Sequence, residues 1–286
     1  MVEFYLLGDM GSGLNEQYNV ANAMIQMINK KNKQSNKKKP FICGLGDNIY
    51  EDGVESIDDK KFIDKFEEPY KDFPNSIKFY MLLGNHDYGY NNDKRHLIQV
   101  DYGIESQKNR RKWFMPEPYY TFKKNNVEFF VIDTNIDLMK KEEISKQLHT
   151  MIDKIKKSKA RWKIVNGHHT WRSIAGHGNA EPLLEEFLME LFKSAPFDVY
   201  MCGHDHNKQV INFQINDKKV LLIVCGTGGK IYDDGFNNYN NLDENSDLEF
   251  CSNNLGYGIC KANKHNLLFT FLNENNDIEF NYKLKK

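Results

Sequence analysis

Short apolar runs alternate with amphipathic stretches through the first two-thirds of this chain. Val2–Leu7, Phe41–Leu45, Phe79–Leu83, Phe129–Asp133, Ile164–Val165 and Val199–Cys202 are brief, mostly apolar segments, the pattern of strands buried on both faces. Between them Val20, Ala23, Met24, Met27 and Ile28 recur at helical spacing. So do Ile144, Leu148, Met151, Ile152 and Ile155, and then Leu183, Leu184, Phe187, Leu188 and Leu191. Strand–helix–strand alternation predicts crossover units and a largely parallel sheet. Beyond Gln209 the pattern changes. Gln209–Phe213, Lys219–Cys225, Tyr257–Ala262, Leu267–Leu272 and Ile278–Leu284 read as successive strands with polar turns such as Asn216-Asp217, which favours antiparallel pairing. The expected architecture is α/β: one domain over residues 1–286, two sheets packed together and helices outside. Lys30–Lys39 reads as a solvated lysine-rich loop or helix end, and Asp233–Asn254 as a long polar loop.

Composition narrows the function classes. The chain has 286 residues, 40% hydrophobic and 28% charged, which suits a globular protein with a large core. Its formal net charge of −1 gives no global attraction to nucleic acid or to an anionic membrane. No apolar run approaches the roughly 20 residues that span a bilayer. Of the five cysteines, Cys43, Cys202 and Cys225 fall in strand-like runs and read as buried thiols, which leaves Cys251 and Cys260 as the pair where a bridge would fit. Val2–Leu7 already reads as a core strand, so no secretory signal stands ahead of it in this sequence.

Five segments carry the chemistry, each an apolar run followed by a glycine turn rich in metal-ligating residue types. They are Leu7-Gly8-Asp9-Met10-Gly11, Leu45-Gly46-Asp47-Asn48-Ile49-Tyr50, Leu83-Gly84-Asn85-His86-Asp87, Val165-Asn166-Gly167-His168-His169 and Cys202-Gly203-His204-Asp205-His206. Singly, a Gly-Asp after a strand is an ordinary turn. A His-x-His pair, however, points both rings to one face of an extended segment, and open α/β sheets gather ligands at the carboxyl ends of their strands. Five such segments in one chain therefore point to a metal centre.

The set Gly-Asp-x-Gly, Gly-Asp-Asn-x-Tyr, Gly-Asn-His-Asp, Gly-His and Gly-His-x-His resembles the purple acid phosphatases, a branch of the calcineurin-like metallophosphoesterases. The small, single-domain, tartrate-resistant type is the best match. The resemblance runs through Gly53–Asp64, Ser173-Ile174-Ala175, His177 and Gly226-Thr227-Gly228-Gly229. Most of the wider superfamily has histidine two residues after the first aspartate. Here Gly11 stands there, and the tyrosine by which this branch replaces that ligand is matched by Tyr50. The resemblance implies a four-layer α-β-β-α sandwich with two mixed sheets. It implies Fe(III) on Asp9, Asp47, Tyr50 and His206, with a second ion, Fe(II), Zn(II) or Mn(II), on Asp47, Asn85, His168 and His204. Hard carboxylate and phenolate oxygens suit a trivalent ion, and imidazoles with an amide suit a divalent one. Phenolate-to-iron charge transfer would colour the protein.

The implied activity is acid hydrolysis of phosphate monoesters, on small molecules or proteins, by in-line attack of a metal-bound hydroxide. His86 and His177 match the histidines that face substrate and serve as acid and orienter. The resemblance also implies a monomer in a secreted or endomembrane-lumen compartment, with the cytosol as alternative. Three positions depart from the family pattern: His169 for tyrosine, Met10 for tryptophan and Tyr88 for histidine. They bear on substrate preference and leave the metal set intact. Two other readings compete. Some parasite members of this family anchor a motor complex with little activity; the complete set of seven ligand residues favours an enzyme. A phosphodiesterase or protein phosphatase of the wider superfamily is disfavoured by Tyr50 together with Gly11.

Overall fold

The computed structural model describes residues 1–34, 39–89, 94–231, 236 and 238–286, with the side chains of residues 32–34 and 239 excepted. Its strands are β1 (Val2–Leu7), β2 (Phe41–Gly44), β3 (Phe79–Tyr80), β4 (Trp113–Phe114), β5 (Tyr120–Lys124), β6 (Val127–Val131), β7 (Trp162–Asn166) and β8 (Val199–Cys202). There follow β9 (Lys208–Ile215), β10 (Lys218–Cys225), β11 (Ser246–Ser252), β12 (Gly256–Ala262), β13 (Asn266–Asn273) and β14 (Ile278–Lys285). The α-helices are α1 (Asn15–Gln34), α2 (Arg95–Lys108), α3 (Lys141–Lys157) and α4 (Pro182–Ser194).

Two seven-stranded mixed sheets result, ordered β14-β13-β12-β1-β2-β3-β4 and β11-β9-β10-β8-β7-β6-β5. In the first, β1 to β4 run parallel and β12 to β14 add antiparallel strands beside β1. In the second, β6, β7, β8 and β10 run parallel, β5 and β9 run against them, and β11 pairs antiparallel with β9. Period-2 alternation divides the second sheet's faces. Phe129, Leu221 and Ile223 join the first sheet's Phe4 and Leu6 in one core, while Phe130, Leu222 and Val224 join Leu184, Phe187 and Met151 of the helices in another. Phe4 and Phe129 meet edge to face across the sheets, with ring centroids 5.0 Å apart. With Val20, Met24 and Ile28 of α1 buried beside the first sheet, the layers are α-β-β-α.

Local chemistry explains several boundaries. Pro182 opens α4, where its missing N–H costs nothing. Asn216 takes φ 55° in the turn joining β9 to β10. Other boundaries differ from expectation. β3 is a two-residue strand, shorter than the expected Phe79–Leu83, although the Met81 N–H still reaches the Phe114 carbonyl at 3.0 Å. The span expected as loop, Asp233–Asn254, holds edge strand β11, whose alternating Ser-Asp-Leu-Glu-Phe carries too little apolar content to announce itself; residues 232–235 and 237 lie outside the described residues. Of the lysine-rich tract, residues 30–34 continue α1, and 35–38 lie outside the described residues. Cys251 sits on β11 and Cys260 on β12, in different sheets, and no disulfide joins them.

Candidate metal centre

Asp9 follows β1, Asp47 and Tyr50 follow β2, Asn85 and His86 follow β3, His168 follows β7, and His204 and His206 follow β8. These are carboxyl ends of parallel strands, three from one sheet and two from the other. Backbone hydrogen bonds stitch the turns together: Asp9 N–H to the Gly46 carbonyl (3.0 Å), Tyr50 N–H to Gly11 (3.0 Å), Gly203 N–H to His168 (3.1 Å) and Gly8 N–H to Cys225 (2.9 Å). Three of the chemistry-bearing residues hold left-handed backbone, Asp9 (φ 56°), Asp47 (φ 51°) and His204 (φ 69°). Such conformations cost about 1–3 kcal/mol each and cluster at functional sites.

Two groups of donor atoms form. In the first, ligand atoms of Asp9, Asp47 and His206 lie within 4.8 Å of one another. The Tyr50 hydroxyl joins them, donating to Asp9 Oδ1 at 3.1 Å and lying 2.9 Å from His206 Nε2. In the second, His168 Nε2 lies 3.1 Å from Asn85 Oδ1, 3.2 Å from His204 Nδ1 and 3.4 Å from Asp47 Oδ1. Asp47 thus belongs to both.

The donor chemistry fits metal ions. Asp9 is fully buried and Asp47 is 2% exposed. Among the described residues, their ion pairs are to histidines alone. Buried carboxylates need cations beside them. His168 Nδ1–H donates to the Leu45 carbonyl at 2.8 Å, so the proton a metal ion would displace is the one on Nε2, which faces the other donors. The ring equilibria show the same demand for positive charge. Burial works against a charged His168, yet the Asp47 carboxylate beside it raises its pKa to about 10. Burial also works to raise Asp47, but the charge and hydrogen bond of His168, with His86, pull it below its usual range. Burial and the two aspartates push the Tyr50 phenol well above its ordinary pKa, so only a strongly charged cation would make it a phenolate. Burial and the neighbouring histidines, His169 first, push His204 well down, leaving a neutral ring suited to ligation.

Glycines let the turns close on the donors. A Cβ on Gly84 would stand 2.1 Å from Asp47 Oδ1, and one on Gly11 would stand 1.9 Å from the Asn48 carbonyl oxygen. No side chain fits at position 11, and the Tyr50 hydroxyl reaches the first group instead.

Further residues hold the site, and sequence reading did not single them out. Buried Asp87 accepts from the backbone N–H groups of Gly84 (2.8 Å), Asn48 (3.0 Å) and Ile49 (3.2 Å), and from the amides of Asn48 (3.0 Å) and Gln99 (2.8 Å). Asp205 accepts from the His177 N–H at 3.0 Å and from the Ser173 hydroxyl, which fixes the loop carrying His177. The Thr134 hydroxyl oxygen accepts from the N–H groups of His168 (3.2 Å) and His169 (3.1 Å). Its proton therefore goes to His169 Nδ1, 2.8 Å away. Burial, with His168 and His177, depresses His169 to about 3, so the ring is neutral and carries its proton on Nε2. His169 and His177 flank the His204 ring at 4.4 and 4.0 Å.

The donors open into a cavity of about 290 Å³ lined by Asn85, His86, His177, His204 and their neighbours. His86 Nδ1 bonds the Glu51 carbonyl, and its Nε2 faces Asp47 Oδ2 at 4.0 Å. Met10 is fully buried. Tyr88 directs its hydroxyl to Asp133 at 2.7 Å and lines a different cavity.

Residues 2–208 match the profile of the calcineurin-like phosphoesterase family. Tartrate-resistant acid phosphatase type 5 of Rattus norvegicus is 30% identical over 248 residues, which is 79% of this chain and 72% of that protein. Among solved structures, the anchor in the inner membrane complex of Plasmodium superposes with a TM-score of 0.79 at 24% identity, covering 99% of this chain and 88% of the other. A purple acid phosphatase from yellow lupin (Lupinus luteus) seeds superposes with a TM-score of 0.72 at 18% identity, covering 99% of this chain and 53% of the other.

Proposed function

Because this chain belongs to the calcineurin-like phosphoesterases, in their purple acid phosphatase branch, we propose that it is an acid phosphatase that hydrolyses phosphate monoesters at a two-metal centre. The observation that carries this reading is the pair of donor groups sharing Asp47, one with the Tyr50 hydroxyl and the other with the Asn85 amide and the His168 and His204 rings. Asp9, Asp47, Tyr50 and His206 would hold Fe(III); Asp47, Asn85, His168 and His204 would hold Fe(II), Zn(II) or Mn(II). The bound pair supplies Lewis acidity and an activated water for in-line displacement at phosphorus. The domain is taken to span residues 1–286, since β12 to β14 continue the sheet that β1 begins.

The remaining work falls to the chain's own groups. His86 keeps its Nδ1 proton on the Glu51 carbonyl, and its Nε2 hands a proton to the departing ester oxygen. His177, held at its backbone by Asp205, lies against His204 with its ring tilted by 30° and orients the phosphoryl group at the cavity wall. His169 presents Nε2–H as a neutral donor whose tautomer Thr134 fixes. The alternative is an anchoring protein with little activity, since the Plasmodium structure is named as an anchor; a complete donor set supports catalysis over it. Hydrolysis of p-nitrophenyl phosphate and of bis(p-nitrophenyl) phosphate by metal-loaded protein tests the proposal. Faster monoester cleavage, abolished in Asp47→Ala, is expected. Faster diester cleavage would overturn the monoester assignment, and no cleavage of either would favour the anchor.

A further inference from the structure

Tyr88 stands three residues after Asn85, yet it walls a second cavity, of about 440 Å³ against about 290 Å³ for the donor cavity. Leu97, Pro118, Leu138 and Met139 make this cavity apolar, together with the rings of Tyr88 and Tyr119. Tyr88 stacks on His96 with centroids 3.8 Å apart and planes at 7°. Burial depresses His96 to about 4, so that wall is uncharged at neutral pH. The Asp133 carboxylate is already engaged by the Tyr88 hydroxyl and by Asn135, whose N–H (3.1 Å) and amide (2.8 Å) both donate to it.

The charges that remain are uneven. Lys94, Lys140 and Lys146 all line the cavity and are exposed, whereas Glu143, the acidic residue near them, already accepts the Lys140 N–H at 2.9 Å. Leu97 and Leu138 remain 39% and 43% exposed beside these lysines. Volume, apolar walls and a few polar groups are the ordinary properties of a small-molecule site, and three flexible ammonium groups favour an anion there. A cationic ligand would meet an excess of like charge.

We propose that this second cavity binds a small amphiphilic anion, with an aromatic or aliphatic body against Leu97, Leu138, Met139 and Tyr119 and one anionic head beside Lys140 and Lys146. The site shares no residue with the metal donors and stands whether or not the phosphatase reading does. The test is a fluorescence titration of the full chain with 8-anilino-1-naphthalenesulfonate. One saturable site per chain is expected, displaced by octanoate and not by octylammonium. Lys140→Glu/Lys146→Glu and Leu138→Asp should each raise Kd by about tenfold or more. These positions are exposed, so the fold should survive, and near-UV circular dichroism checks that it does. Leu14→Asp, at an exposed leucine outside the cavity lining, should leave Kd unchanged. Absence of a saturable site, equal displacement by octylammonium, or unchanged Kd in both cavity variants would overturn the proposal.

Discussion

Asp87 sits among the backbone N–H groups of Gly84, Asn48 and Ile49, so one carboxylate fixes the turns that carry Asp47 and Asn85. Replacing it by alanine strands several buried donors, each worth about 1–3 kcal/mol when left unpaired. Asp87→Ala is expected to lose at least about 3 kcal/mol in urea unfolding, with catalysis falling alongside; a loss under about 1 kcal/mol would remove Asp87 from this role. His86 makes a different kind of prediction. If its Nε2 protonates the leaving oxygen, His86→Asn should lower kcat by about 10²–10³ for an alkyl phosphate and far less for p-nitrophenyl phosphate, whose leaving group needs no proton. Equal losses on both substrates would argue for positioning alone. The candidate ligands were legible because each stands in a glycine turn after an apolar run. Asp87 and Asp205 stand in the same turns, but their role as acceptors, like that of Thr134, was not legible, since what marks it is burial and the number of donors they receive, which sequence does not display.

At the scale of elements, strong apolar periodicity was readable and weak periodicity was not. α3 and α4 announced themselves through Ile144, Met151, Ile155, Leu184 and Leu188. α2 did not, because the residues it buries include Gln99, Gly103 and Ser106 beside Val100 and Tyr102, so its inner face looks polar. Edge strands β4, β5 and β11 were missed because each is short or half-exposed. Buried Lys208 on β9 joins the two sheets by meeting Glu279 of β14 at 2.6 Å. Burial opposes the Glu279 charge, but hydrogen bonds from Lys208, Ser252 and Asn254 outweigh it and hold its carboxyl below the usual range. A depressed folded-state pKa adds stability above the unfolded carboxylate's pKa and loses it as pH falls through the folded one. Glu279→Gln should therefore cost about 2–4 kcal/mol at pH 7. The gap to the parent protein should close as pH drops below the ordinary carboxylate range. A gap that stays constant with pH would place its origin in packing.

The whole molecule is two mixed sheets whose facing strand ends bring Asp9, Asp47, Tyr50 and Asn85 against His168, His204 and His206. That convergence was inferred from glycine turns placed after apolar runs, and the four-layer sandwich was implied by the family resemblance; the short β3 and the polar edges contribute little to either. If Asp9 and the shared Asp47 hold metal ions as proposed, metal binding is part of the stability. Loading with ferric and zinc ions, each at about a thousandfold above its Kd, should stabilise the fold by about 4 kcal/mol per bound ion, read as a rise in Tm that chelation reverses. An unchanged Tm would mean that the donors do not act as ligands. The central claim is that Tyr50 and its neighbours bind trivalent iron, and a visible absorption spectrum with metal analysis tests it most directly, on this protein and on Tyr50→Phe. A violet band with iron near one per chain, absent from the Tyr50→Phe variant, is the predicted result. A protein that stays colourless after ferric loading would contradict the account.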